Sequence, residues 1–217
     1  MEIRFFGQSC FRFTTDEGTR IVTDPYSSGI GYKTQKLSAE IVTISHDHFD
    51  HNNLGAIEGN YALYREAGEY ESHGVRIRGI DSFHDDVGGR KRGRNVIFCF
   101  TVDGMTLCHA GDLGHVPDRE QLAAIGRPDI LFLPVGEVFT FRVEDAAETV
   151  ELLHPTVVIP MHYRTRLLTI GLEKADKFLR LTDSHKEITG GVLTVSRQWL
   201  DEQKQGTVPK VLVVDPQ

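Results

Sequence analysis

No stretch of this 217-residue chain approaches the roughly 20 consecutive apolar residues of a membrane-spanning helix, so no membrane partner is expected. Cysteine is scarce: Cys10, Cys99 and Cys108 are an odd number, set in apolar, strand-like surroundings. They read as buried thiols in a reducing compartment, not as a disulfide framework. A secretory leader is also missing. Met1-Glu2-Ile3-Arg4-Phe5-Phe6 goes straight into strand-like sequence, so a cytoplasmic location is expected. Positive charge is in the minority, with 24 Lys and Arg against 31 Asp and Glu and a net charge of −7. Nucleic acid is therefore not the expected partner, because phosphate neutralisation supplies most of that affinity. There is no internal repeat, no low-complexity tract, and no G-x-S-x-G elbow or Cys/His pair to mark a covalent nucleophile. With 40% hydrophobic and 25% charged residues, the chain suits one domain over residues 1–217 with a substantial core. A homo-oligomer is compatible with all of this.

What the chain does have is ten histidines, three of them in Ser45-His46-Asp47-His48-Phe49-Asp50-His51-Asn52-Asn53. This run follows Ile41-Val42-Thr43-Ile44, which reads as a short buried strand. Imidazole and carboxylate together suit zinc, with manganese, iron or nickel as other candidates. In an extended stretch alternate residues point the same way, so His46, His48 and Asp50 share one side while His51 turns away toward a second ion. A structural zinc site more often uses cysteines in two separated pairs, so one dense run favours two metals in an open site. The plain alternative is a solvated histidine-rich loop.

Residues 2–6 and 10–15 read as a strand pair joined at Gly7-Gln8-Ser9, and 20–23 continues the sheet after a turn at Asp16-Glu17-Gly18. The polar connection 26–39 reads as a loop able to lie over a cleft, and Leu54 to Tyr64 as a short helix. Segment 74–80 alternates with period two, and 95–102 with 105–108 forms a hairpin about Asp103-Gly104. Strands then alternate with helices: helix from Asp118 to Ile125, strand 129–134, helix through Val143 to Leu153, strand 156–160, helix from Glu173 to Leu181, and strands 192–196 and 211–214. Two packed sheets with helices outside accommodate this order. Metal-capable residues recur just past strand ends: His46 and His48 after 41–44, His84 after 75–80, Asp112 after 105–108, His162 after 157–160. Loops at one edge of a rigid sheet are where sites are built.

These residues resemble the metallo-β-lactamase superfamily over nearly the whole chain. The H-x-H-x-D-H box stands as His46-Asp47-His48-Phe49-Asp50-His51, followed by His84, Gly111-Asp112 and His162. Leu133-Pro134-Val135-Gly136-Glu137-Val138-Phe139-Thr140, Glu144-Asp145-Ala146-Ala147, Ile159-Pro160-Met161-His162-Tyr163-Arg164-Thr165 and Thr23-Asp24-Pro25 look like one branch of it. That branch holds metal-dependent hydrolases related to the L-ascorbate-6-phosphate lactonases. The resemblance implies an α+β fold, the four-layer αββα sandwich of two mixed β-sheets. It implies one metal on His46, His48 and His84, a second on Asp50, His51 and His162, and Asp112 bridging them. Asp24 would support the cluster by hydrogen bonding. Where relatives of this branch often have a second glycine, Glu137 puts a carboxylate near the cleft.

The expected activity is hydrolysis of a small ester, lactone or phosphoester by a metal-bridging hydroxide, which Asp50 orients. Tyr163 and His115 are candidates for protonating the leaving group. The basic run Arg90-Lys91-Arg92-Gly93-Arg94 has two readings: Arg92 and Arg94 attract a substrate phosphate or carboxylate, or the run is a solvated hairpin. The second is the commoner case. His109, three residues before Asp112, is a candidate supporting residue. His73, His154 and His185 read as structural or exposed, and Gln198, Trp199 and the tail 201–209 carry no nameable chemistry. A non-haem di-iron redox protein on the same fold usually has glutamate for the second histidine of the box, which His48 opposes. A nuclease of the superfamily would want a basic clamp, for which 217 residues leave no room.

Overall fold

The structure is a computed structural model that describes residues 1–182, 185–204 and 209–217. The chain opens with β1 (Glu2–Gly7), β2 (Cys10–Thr14), β3 (Arg20–Thr23), β4 (Leu37–Ser38) and β5 (Ile41–Thr43). Next come β6 (Ile57–Glu58), β7 (Ala62–Tyr64), β8 (Gly68–Ser72), β9 (Val75–Phe83), β10 (Arg94–Val102) and β11 (Met105–His109). Alternation follows, with α1 (Arg119–Ile125), β12 (Ile130–Pro134), α2 (Val143–Leu153) and β13 (Val157–Met161). The last elements are α3 (Asp176–Leu179), β14 (His185–Ile188), β15 (Val192–Thr194), α4 (Arg197–Gln203) and β16 (Lys210–Val214).

Two mixed sheets result. The smaller has the order β15-β1-β2-β3-β5-β7 and the larger β14-β16-β13-β12-β11-β10-β9-β8, while β4 and β6 form a separate pair. Period-two patterning decides how they meet. On β2, Phe11 and Phe13 face inward while Cys10 and Arg12 take the other side. Phe132 of β12 reaches across with its ring 4.7 Å from Phe11 and 5.0 Å from Phe13, so the sheets pack face to face on aromatic contacts. β12 and β13 are buried at every position, as strands covered on both faces must be, which explains their unbroken apolar runs.

The fold is thus the αββα sandwich, with helical cover concentrated on one side. α1, α2, α3 and α4 all contribute to the main core. The outer face of the smaller sheet (Phe6, Val22, Val42) is covered instead by Tyr26, Ile30, Tyr32 and Leu37, with Leu168 and Leu172. Connection 26–39 therefore wraps the sheet and is no cleft flap. The helix expected over Leu54–Tyr64 is absent. Leu54–Ala56 makes a single 3₁₀ turn, and the chain extends into β6 and β7 because parallel pairing with β4 and β5 overrides the apolar spacing. The helix expected over Glu173–Leu181 shrinks to α3. Strands β8 and β14 and helix α4 were not expected. Residues 205–208 of the tail 201–209 lie outside the described residues.

Candidate metal centre

β10 is antiparallel to both β9 and β11, and β11 runs parallel to β12 and β13. β9, β11 and β13 therefore all end at one edge of the larger sheet, which delivers His84, Asp112 and His162 to the same place. From the smaller sheet, β5 delivers Ser45–His51 to that edge.

Asp112 is the hub. Its Oδ2 lies 3.0 Å from His162 Nε2, 3.2 Å from His84 Nε2, 3.3 Å from His51 Nε2 and 3.8 Å from His46 Nε2. Three overlapping groups have donor atoms close enough to share an ion: His46, His48 and His84; His46, His51 and Asp112; Asp50, His51 and His162. The box is not extended as the spacing argument supposes. It turns, with the His51 N–H donating to the His48 carbonyl at 2.9 Å. Asp50 consequently leaves the side of His46 and His48 and joins His51 and His162.

The outer nitrogens are fixed by a short network. The Ser45 hydroxyl donates to Asp24 Oδ2 (2.6 Å) and faces His46 Nδ1 at 2.9 Å. His51 Nδ1 lies 2.9 Å from Asp24 Oδ2, and the Ser45 N–H donates to Asp24 Oδ1 at 2.7 Å. With Nδ1 engaged in this way, both rings aim Nε2 inward. Asp24 is held at φ 40°, strained backbone for a non-glycine residue, by this set of partners. Gln8 donates to Asp50 Oδ2 at 2.8 Å, and its carbonyl accepts the His162 N–H at 2.8 Å. Asn95 Oδ1 accepts the Asp112 N–H at 2.9 Å, and its amide reaches Ser82 and the Ala110 carbonyl. Gly111 explains the Gly-Asp step: at φ 58° a Cβ would lie 2.4 Å from Asn95 Oδ1 and 2.6 Å from Ser45 Cβ.

Burial opposes charge throughout, and the mixture of groups overrides it selectively. Asp112 is held well below the usual carboxylate range because His162 and His51 outweigh its burial. On His51 burial is overcome by the carboxylates of Asp112, Asp24 and Asp50, which hold it well above the ordinary histidine range. His46 falls to about 3, first from burial and then from the nearby His51. Burial and His84 lower His48.

These residues fit divalent ions. Buried Nε2 of His46 and His51 and Oδ1 of Asp112 have no hydrogen-bond partner. Such groups are costly to leave unsatisfied. Ligands of a tetrahedral ion with bonds of about 2.0–2.1 Å sit roughly 3.3 Å apart, the spacing found around Asp112.

The other predicted site residues divide. His109 is buried against Phe11 and Phe132, and its Nε2 lies 2.9 Å from the Ser9 carbonyl, tying the β1–β2 turn beneath the cluster. Tyr163 is not placed to protonate a leaving group. Its side chain lies in the core, where burial and then Tyr32 push its phenol well above the ordinary range. His115 accepts the Phe83 N–H at 3.3 Å and turns its other nitrogen to the Val116 carbonyl, off the cleft. Glu137 is occupied by Lys177 at 2.6 Å. Arg94 pairs with Asp81 and lies 3.8 Å from Glu66. Arg92 lines a cavity of about 460 Å³ that opens over His48, Asp50, His84, Asp112 and His162.

Sequence reasoning missed Gln8, Ser45, Asn95 and Asp85. Asp85, followed closely by Gly88-Gly89, carried a turn signal that could have found it; the others carried none.

The domain described as Beta-lactamase superfamily domain matches residues 2–162. A UPF0173 metal-dependent hydrolase of Pelotomaculum thermopropionicum is 32% identical over 197 residues, covering 76% of this chain and 85% of that protein. One from Thermococcus onnurineus is 30% identical, again over 76% and 85% of the two chains. Among solved structures, a Zn-dependent hydrolase candidate of the metallo-β-lactamase superfamily from Thermotoga maritima superposes with TM-score 0.81 at 34% identity. The match covers 100% of this chain and 99% of that one.

Proposed function

Since the chain belongs to the metallo-β-lactamase superfamily, we propose that it is a dinuclear metal-dependent hydrolase of small esters, lactones or phosphoesters. The observation that carries this reading is the Asp112 hub, one carboxylate oxygen facing four imidazole nitrogens at 3.0–3.8 Å among buried donors that lack partners. His46, His48 and His84 would hold one divalent ion and Asp50, His51 and His162 the other, with Asp112 available to both. The donor set of imidazole and carboxylate favours zinc. When bound, such a pair supplies Lewis acidity and activates water at neutral pH.

The chain's own residues then have defined tasks. Asp24 and Ser45 hold the His46 and His51 rings in one orientation. Gln8 fixes the Asp50 carboxylate, leaving its second oxygen to orient a reactant. Phe49, Phe139 and Ile170 line the cavity with apolar surface.

Elemental analysis of protein purified without added metal should find close to two divalent ions per chain. Asp112→Asn should reduce that count and, with it, turnover on a panel of esters, lactones and phosphodiesters. Metal-replete protein inert toward the entire panel would refute the hydrolase reading.

A further inference from the structure

The loop of residues 85–93 joins β9 to β10 and overhangs the cavity. It is built around one buried carboxylate. Asp85 Oδ1 accepts the N–H groups of Val87 (2.9 Å) and Gly89 (2.8 Å), and Oδ2 those of Lys91 (2.8 Å) and Arg92 (2.8 Å). The loop also closes on itself, with Gly93 N–H donating to the Gly89 carbonyl at 2.9 Å and His84 N–H to the Gly93 carbonyl at 3.1 Å. A loop held by four charge-assisted hydrogen bonds, two of them from Lys91 and Arg92 of the basic run, is a preorganised presentation of its side chains, not a loose solvated hairpin.

Two arginines of the run, Arg90 and Arg92, have no carboxylate partner among the described residues, and of the two Arg92 lines the cavity over Asp112. Arg65 is matched by Asp47 at 3.2 Å, Lys91 by Asp86 at 3.2 Å, and Arg94 by Asp81. Among the described residues, no carboxylate lies within 4.0 Å of Arg92. Its guanidinium donates only to the Val138 carbonyl at 3.3 Å and lies 5.6 Å from the Phe139 ring centroid. That leaves donors free in the wall of the cavity that contains Asp112. Beside it stand large apolar side chains, Phe49 60% and Phe139 38% exposed, in a chain that otherwise buries most of its aromatics.

We propose that Arg92 is a specificity-determining residue, selecting substrates that carry a carboxylate or phosphate next to an apolar portion, with Asp85 as the residue that positions it. This rests on the hydrolase reading and narrows it to anionic, partly apolar esters. A guanidinium grips such an oxyanion bidentately, while Phe49 and Phe139 cover the apolar part.

The test uses metal-loaded protein and two substrates with the same leaving group and chain length, mono-4-nitrophenyl glutarate (anionic) and 4-nitrophenyl pentanoate (neutral). Calorimetric titration with benzoate and with phenylphosphonate separates carboxylate from phosphate recognition. Arg92→Gln should lower the anionic-to-neutral ratio of kcat/KM by about tenfold or more, and weaken at least one of the two anions similarly, with metal content unchanged. Arg92→Lys should fall between, since it keeps charge and loses the fork. Asp85→Asn should lower the same ratio, and adding it to Arg92→Gln should lower the ratio no further, because both act through one group. A merely structural Asp85 would leave the ratio unmoved. If neither ester turns over yet anion binding falls in Arg92→Gln, the anion-selecting role of Arg92 is upheld, and the hydrolase reading is decided separately by the full panel of esters, lactones and phosphodiesters. Equal ratios together with equal affinities in wild type and Arg92→Gln overturn it.

Discussion

At the scale of single residues, His51 carries the sharpest consequence. Without metal, burial disfavours its charge but three carboxylates outweigh that and raise it well above the ordinary histidine range, whereas a bound ion requires the neutral ring. Metal loading at pH 7 should therefore release protons, seen as a calorimetric heat that changes with the ionisation enthalpy of the buffer. A buffer-independent heat would contradict the assignment. The stability sign follows the same group. His51 is raised above the ordinary histidine value of 6.5, so its contribution is complete below that pH and is lost as pH rises through the higher folded value. Metal-free protein should lose urea resistance as pH rises above 6.5 toward the raised folded value, and metal-loaded protein should not show this His51-linked loss. Asp24 acts through the rings it orients, and Asp24→Asn should weaken metal affinity about 10–100-fold, measured by competition with a chelating dye. The ligand types were legible because histidines followed strand ends in a fixed register. Gln8 and Asn95 were not, because a polar residue at a turn or strand start has no periodicity, and only the three-dimensional meeting of β1 and β13, or β10 and β11, gives it a partner.

Elements explain why the sheets hold their register. Phe132 packs, with tilted rings, against Phe11 and Phe13 from the opposite sheet, and its ring also lies 6.2 Å from His109, which ties the turn below the site. Phe132→Ala should cost about 3–5 kcal/mol, read as a lower urea midpoint with an unchanged slope. A loss below about 1 kcal/mol would show that the sheets do not depend on this contact. The strands of the main core were readable because alternation and unbroken apolar runs record which faces are covered. The cover of the smaller sheet was not. Apolar residues between Leu54 and Tyr64 fit a helix as well as two short strands, and parallel pairing decided for the strands.

On the scale of the whole molecule, the candidate centre draws on both sheets, so bound metal would act as a rivet across the sandwich. Chelation should lower the melting temperature by about 10 °C. That follows from about 4 kcal/mol of linkage at a free metal concentration a thousandfold over Kd, at about 2–4 °C per kcal/mol for a chain of this size. Calorimetric scans with and without EDTA check it, and coincident midpoints would show that the sheets hold without the centre. Architecture was legible at this scale from the order of elements, whereas the concentration of helices on one side was not, because covering a sheet with loop instead of helix leaves little mark on hydrophobic spacing.

The His162 N–H bonded to the Gln8 carbonyl joins the two ends of this arrangement. During synthesis, the histidines of the box emerge from the ribosome long before Asp112 and His162 exist to complete their company. A nascent chain that stops short of His162 thus presents an incomplete set of candidate donors, and complete loading would wait until the last of these side chains has left the exit tunnel.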